Sequence, residues 1–281
     1  MSSISVLMSV YKSEKAEYLN RSLQSIYDDQ TLKPDEIVIV EDGPLGEDLV
    51  AVIKVWKERL QEKFCILKNE TNIGLTKSLN KGLQYVKSDF IARMDSDDIS
   101  APKRFELQMK YLNEHPDVSI VGGSLQEFDD KNECLSVRRY PLTCEEVVKY
   151  IYKASPLAHP AVMMRRSMFD AGLRYNENYR TSQDIALWYD ALCAGYKIGN
   201  IEEIAVHFRR DANVFKRRSR KKAMNEYRIY MNGIKRLYGV FTWRYIYPIL
   251  RIIFRLMPVK IIRLVYGSNL RKMILEKFSL S

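Results

Sequence analysis

Apolar residues fall in short blocks along the first half of the chain, and their spacing alternates between two periods. Ile4 to Val10 and Glu36 to Val40 are brief runs rich in β-branched residues, each closed by polar residues, as buried strands are. Between them Leu19, Leu23 and Ile26 recur at helical spacing and Pro34 marks the return, so the unit reads as strand, helix, strand. The same reading predicts a helix over Glu47 to Leu60, a strand over 64–69, a helix over Leu75 to Val86 and a fourth strand over 89–95. Nearly all-apolar strands alternating with helices predict a parallel, doubly wound α/β sheet covered on both faces. Ligands of such sheets sit beyond the carboxyl ends of the strands.

Further on, the pattern predicts a helix after Pro102 over Lys103 to Glu114, a strand over 119–128, and helices over Cys144 to Tyr152 and Gln183 to Ala194. Short strands and irregular segments lie between and after them. From Ala223 to Phe278 the chain turns helical and basic. The predicted division is an α/β domain over 1–215, with halves at about 1–100 and 101–215, and a helical extension over 216–281.

Charge sharpens that division. From Arg209 onward there are 19 Lys and Arg against 3 Asp and Glu, whereas the first 208 residues carry 26 against 32. The body is mildly acidic and the tail basic, which admits nucleic acid, an anionic membrane surface or solvent as its counterpart. Cys65, Cys134, Cys144 and Cys193 have neither zinc-site nor disulfide-framework spacing, and a reducing cytoplasm suits free thiols. The first residues read as a strand and not as a signal peptide.

The fourth strand ends in Met94-Asp95-Ser96-Asp97-Asp98. Carboxylates this close repel one another unless a cation neutralises them, and an all-oxygen set suits Mg²⁺ or Mn²⁺. The plain alternative is an Asp-rich turn that caps the next helix. Glu41-Asp42-Gly43-Pro44 after the second strand and Asn72-Ile73-Gly74 before the third helix admit the same two readings, turn or ligand loop.

These motifs occur in a fixed order: VLMSVYK, VEDG, NIGLTKSLNKGL, MDSDD and SQDIALW. Together, over about residues 3–218, they resemble the inverting family 2 glycosyltransferases of the GT-A fold, especially bacterial enzymes of O-antigen and exopolysaccharide assembly that act on GlcNAc-diphosphate-lipid. The resemblance implies that Tyr11, Glu41 and Asp42 surround the nucleotide base, where family members often have Asp at the position of Glu41. Asn72, Gly74, Arg93 and Asp95 would complete the nucleotide-sugar site. Asp95, Asp97 and Asp98 would hold Mn²⁺ or Mg²⁺ against a UDP diphosphate. Asp184 matches the family's general base, with Gln183 where a Glu is usual; as a plain feature the pair opens a helix. His159, Gln183 and Arg209 are further candidates for acceptor or phosphate contacts, and His207 for the metal.

The tail sets Arg244, Arg251, Arg255, Lys260, Arg263 and Arg271 among bulky apolar residues, with no run of roughly 18 uncharged ones to span a bilayer. Amphipathic helices lying on an anionic membrane, broken at Pro248 and Pro258, fit this pattern, and the alternative is a helical subdomain packed on the body. With the resemblance, the expectation is transfer of glucose or galactose from a UDP-sugar to GlcNAc or GalNAc on a polyprenyl diphosphate, forming a β1,3 linkage. The expected location is the cytoplasmic face of the bacterial inner membrane, peripherally bound and without nucleic acid. Two rivals remain: a nucleotidyltransferase, which also uses strand-end aspartates, and a non-enzymatic nucleic-acid-binding protein, which would explain only the tail.

Overall fold

The computed structural model describes residues 2–129, 133–210 and 220–256. The first four strands are β1 (Ile4–Val10), β2 (Glu36–Glu41), β3 (Phe64–Lys68) and β4 (Phe90–Asp95), connected by helices α1 (Ala16–Tyr27), α2 (Glu47–Leu60) and α3 (Leu75–Leu83). They pair in parallel in the order β3-β2-β1-β4. Alternation within β1 explains the two covered faces. Val6, Met8 and Val10 join one core with Leu19, Leu23, Ile53 and Trp56 of α1 and α2. Leu7 joins the other with Leu79 and Leu83 of α3.

Beyond β4 the sheet departs from the parallel expectation. After β5 (Ile99–Ser100) and α4 (Arg104–Glu114) come β6 (Val118–Phe128), β7 (Cys134–Arg138), α5 (Cys144–Tyr150), β8 (Met163–Arg165), α6 (Arg166–Asp170), α7 (Gln183–Cys193) and β9 (Lys197–Arg209). The order continues as β4-β8-β6-β9-β5, with β8 antiparallel to both its neighbours and β6 parallel to β9. Three-residue β8 carries too few positions to show a period. β9 hides its strand character because Glu202 and Glu203 interrupt its apolar run where its pairing with β6 shifts register. α5 is better specified than its spacing shows: Thr143 and Glu146 form a reciprocal capping box.

Helices α8 (Arg220–Tyr238) and α9 (Ile246–Leu256) form the described part of the tail. The expected boundary at residue 215 lies outside the described residues, as do Pro258, Lys260, Arg263 and Arg271. α8 packs on α7, and its Ile229, Tyr230 and Ile234 belong to the same buried core as Trp188 and Tyr189. Pro248 does not divide a helix. It sits in the first turn of α9, where a missing N–H costs nothing, and the chain breaks earlier, at Gly239 with φ +85°. The tail arginines also differ from expectation. Arg251 and Arg255 turn inward to the buried Glu226, at 2.7 and 2.6 Å, and Arg244 stacks over Tyr152, Tyr238 and Trp243. A buried carboxylate needs such partners, so these side chains join α9 to α8. Val240, Phe241, Trp243, Ile246, Ile249, Leu250, Ile253 and Phe254 are left exposed. Among the described residues no helix is long and apolar enough to cross a membrane.

Candidate active site

The parallel pairing brings the predicted residues to one edge. Ser9 is opposite Asp95 and Val10 is opposite Glu41, so the ends of β2, β1 and β4 lie side by side, about 4.8 Å per strand. Tyr11, just past β1, is 46% exposed and open to a ligand, while Glu41 and Asp42 are buried. Lys68 stands 3.5 Å from Glu41. The Asp42 carboxylate accepts from the backbone amides of Ile73, at 2.8 Å, and Gly74, at 3.0 Å, and from Asn69 Nδ2 at 3.2 Å. Asn72 donates to the Asp42 carbonyl at 3.2 Å. Asp42 thus fixes the Asn72-Ile73-Gly74 loop against the β2 end. Gly43 and Gly74 both have φ +90°, and a Cβ on Gly43 would meet the Asn72 amide nitrogen at 2.7 Å, so only glycine permits this approach.

Asp95, Asp97 and Asp98 each bring a carboxylate oxygen within 4.8 Å of the others. Two straps hold the turn: Ser22 donates to the Asp95 carbonyl at 2.9 Å, and β5 pairs with the end of β9. There the Arg209 amide donates to Asp98 Oδ1 at 2.8 Å and its Nε to the Asp97 carbonyl at 3.1 Å. Asp98 is fully buried, and its Oδ2 has no partner. Burial and then Asp95 push the Asp97 carboxyl up to about 7, with Glu14 adding to it, and burial with Asp95 and Asp97 raises Asp98 as well. His207, opposite Ile99 on β9, is not part of this cluster.

Two buried arginines lie beneath the carboxylates. Arg93 is 2% exposed and ion-paired to Asp95, with Nε and Nη1 unpartnered. Arg104, fully buried, donates to the carbonyls of Arg93 at 2.8 Å and Val162 at 3.2 Å. Burial, then the nearby Arg93, lowers its guanidinium to about 9. The carboxylates of Asp95, Asp97 and Asp98, with Glu14 close enough to raise Asp97, concentrate negative charge that a divalent cation would neutralise. The orphaned Asp98 oxygen and the all-oxygen donor set fit Mn²⁺ or Mg²⁺. Glu14 and Arg104 escaped the sequence reading. Glu14 lies in a loop of mixed charge, where its acceptance from Ser96 Oγ at 2.6 Å has no local signature. Arg104 looks like any basic residue of a first helical turn.

Asp184 stands at the start of α7, within reach of Arg93's field, and burial raises its carboxyl although its own amide and that of Ile185 oppose the shift. Gln183 is buried beside it, and Ser182 before it adopts a left-handed φ of +59°. His159 is 9% exposed, 2.8 Å from the Tyr175 hydroxyl and edge-on to Trp188. Burial, then Arg93, lowers its pKa well below the usual range. Arg209 lies over Tyr18 at 3.8 Å and Phe128 at 4.5 Å. A cavity of about 330 Å³ opens beside Gly74, lined also by Lys77 and Arg180. A larger one, about 510 Å³, lies between α7 and α8 and includes none of the carboxylates.

A mixed sheet with an acidic strand end and helices on both faces is the architecture of GT-A glycosyltransferases. The chain belongs to glycosyl transferase family 2, whose sequence model matches residues 5–173. It is 34% identical over 266 residues, 94% of this chain and 98% of the relative, to the amylovoran biosynthesis glycosyltransferase AmsE of Erwinia amylovora. It is 31% identical over 269 residues to the UDP-Gal:alpha-D-GlcNAc-diphosphoundecaprenol beta-1,3-galactosyltransferase of Escherichia coli, covering 95% of this chain and 96% of that one. The crystal structure of S. aureus TarS 1-349 in complex with UDP-GlcNAc shares the fold, with TM-score 0.61 at 16% identity over 91% of this chain and 82% of that one. The chain spans about half of the longer TarS chain, 49%, at TM-score 0.60. It is therefore an enzyme, and both rival readings, nucleotidyltransferase and non-enzymatic nucleic-acid binder, give way.

Proposed function

We propose that the enzyme transfers glucose or galactose from a UDP-sugar to GlcNAc or GalNAc on a polyprenyl diphosphate, forming a β1,3 linkage in O-antigen or exopolysaccharide repeat-unit synthesis. The observation that carries this reading is the buried, unpartnered oxygen of Asp98 within the Asp95, Asp97 and Asp98 cluster, beside Tyr11, Glu41 and Asp42. A cation and a nucleotide diphosphate together satisfy that edge. The E. coli relative, similar over nearly the whole length of both chains, supports the acceptor class.

Asp95, Asp97 and Asp98 would hold Mn²⁺ or Mg²⁺, which supplies Lewis-acid stabilisation of the charge on a departing diphosphate. Tyr11 and Asp42 orient the base, and the Asn72 to Gly74 loop brings backbone close to the nucleotide. Asp184 takes the proton of the acceptor hydroxyl as its oxygen attacks the anomeric carbon opposite the departing UDP, so the configuration inverts. The raised Asp184 carboxyl is the stronger base for it.

The exposed apolar residues of α9 and the Phe241–Trp243 turn suit a lipid surface, and exposed Arg220, Lys221, Lys222, Arg228 and Lys235 of α8 supply cations for anionic headgroups. These features support a peripheral location on the cytoplasmic face of the inner membrane. The test incubates the enzyme with each UDP-sugar, Mn²⁺ and a synthetic GlcNAc-diphosphate-lipid. Product from UDP-galactose or UDP-glucose is expected, and neither transfer nor slow hydrolysis with any donor would overturn the reading. Trp243→Ser with Phe254→Ser is expected to lose sedimentation with anionic vesicles; unchanged partitioning would refute the membrane assignment.

A further inference from the structure

We infer that Asn225, in the C-terminal extension, is a positioning residue for the proposed base Asp184, which makes α8 part of the catalytic apparatus. The inference rests on the assignment of Asp184 as base. The Nδ2 of Asn225 donates to the Thr181 carbonyl at 2.8 Å and reaches Thr181 Oγ1 at 3.3 Å. The next residue, Ser182, holds φ +59° and ψ 25°, a left-handed conformation that residues with a Cβ rarely take. Gln183 and Asp184 follow at once as the first turn of α7. Ser182 makes no side-chain capping bond to that turn, so its conformation needs support from outside the segment.

Two elements grip the segment. Thr76 of α3 donates to the Tyr179 carbonyl at 2.7 Å, tying its front to the donor half. Asn225 ties its end to α8. α8 itself is fixed on α7 by Tyr230 edge-on to Tyr189 at 6.1 Å and by the Arg236–Asp190 ion pair. α8 is also fixed on α9, because Glu226, adjacent to Asn225, binds Arg251 and Arg255. The hydrogen bond to Thr181 is thus made by a helix that cannot drift from α7, and it sets where α7 begins and where the Asp184 carboxylate stands.

The test is a double-mutant series on the full-length enzyme, with kcat, donor KM and UDP affinity measured for each variant. Asn225→Ala is expected to lower kcat about five- to tenfold, the effect of one hydrogen bond, with donor KM and UDP affinity within about twofold of wild type. Asn225→Asp keeps the shape but has no N–H to give, and should match it. Ser182→Gly adopts the left-handed conformation without strain and should restore most of the loss in the Asn225→Ala background. Wild-type kcat in Asn225→Ala, a loss that Ser182→Gly does not restore, or UDP affinity that falls in step with kcat would each overturn the inference. Asp184→Asn separates the two claims. Turnover surviving in that variant sinks the base assignment, whereas turnover lost there but intact in Asn225→Ala sinks the coupling alone.

Discussion

Gly233→Ala tests the packing of α8 on the body. On an exposed helical surface the change stabilises by about 1 kcal/mol, because alanine loses less backbone freedom. Here the new Cβ would find the Cγ, Cδ1 and Cδ2 atoms of the Tyr189 ring within 2.5 Å, against an optimum of about 3.5–4.0 Å. The ring has nowhere to go: it is 2% exposed, edge-on to Tyr230, and its hydroxyl reaches the Ile151 carbonyl at 3.4 Å. α8 must therefore retreat by about 1 Å, at the upper end of the roughly 1–3 kcal/mol that overpacking costs. The net loss is about 2 kcal/mol, which for a chain of this size lowers Tm by about 3–4 °C. Differential scanning calorimetry measures it, with Asn232→Ala, at the exposed neighbouring position, as the control that keeps or raises Tm. A Gly233→Ala protein melting at or above wild type would show that α8 does not sit on Tyr189 as described.

Gly43→Ala is expected to weaken UDP binding at least tenfold, since a positive φ and contact with the Asn72 backbone both oppose a Cβ; isothermal titration calorimetry checks it. The pH dependence of kcat should show an acid limb set by Asp184. Because burial raises this carboxyl, the base becomes protonated and inactive as pH falls through a value above the ordinary range of about 4. Activity is full above that limb, and a limb at or below the ordinary range would contradict the assignment. Arg104→Met takes the guanidinium donor from the Arg93 carbonyl, while the Val162 carbonyl keeps the Arg93 backbone N–H, and should cost about 2 kcal/mol in urea unfolding.

Much of the donor half was legible in sequence because its strands and helices carry clean periods, and parallel pairing then dictates that acidic strand ends meet at one edge. The clustering of Asp95, Asp97 and Asp98 was legible for that reason. The acceptor half resisted, since three-residue β8 and register-shifted β9 have no period to read. Partnerships across long sequence distances were invisible as well. Nothing near Arg104 marks it as the buried donor beneath Asp95, and nothing near Arg251 reveals Glu226, 25 residues away, as its partner. The tail's charge pattern pointed to lipid, but the buried carboxylate on α8 claims two of its arginines.

In the proposed site Asp95, Asp97 and Asp98 hold a divalent cation against a nucleotide diphosphate. The most direct measurement is UDP affinity by isothermal titration calorimetry with Mn²⁺ and with EDTA, for wild type, Asp97→Asn and Asp184→Asn. Binding at least tenfold tighter with Mn²⁺, lost in Asp97→Asn and kept in Asp184→Asn, is the predicted result. Equal affinity with and without the metal, or undiminished metal-dependent binding in Asp97→Asn, would contradict it.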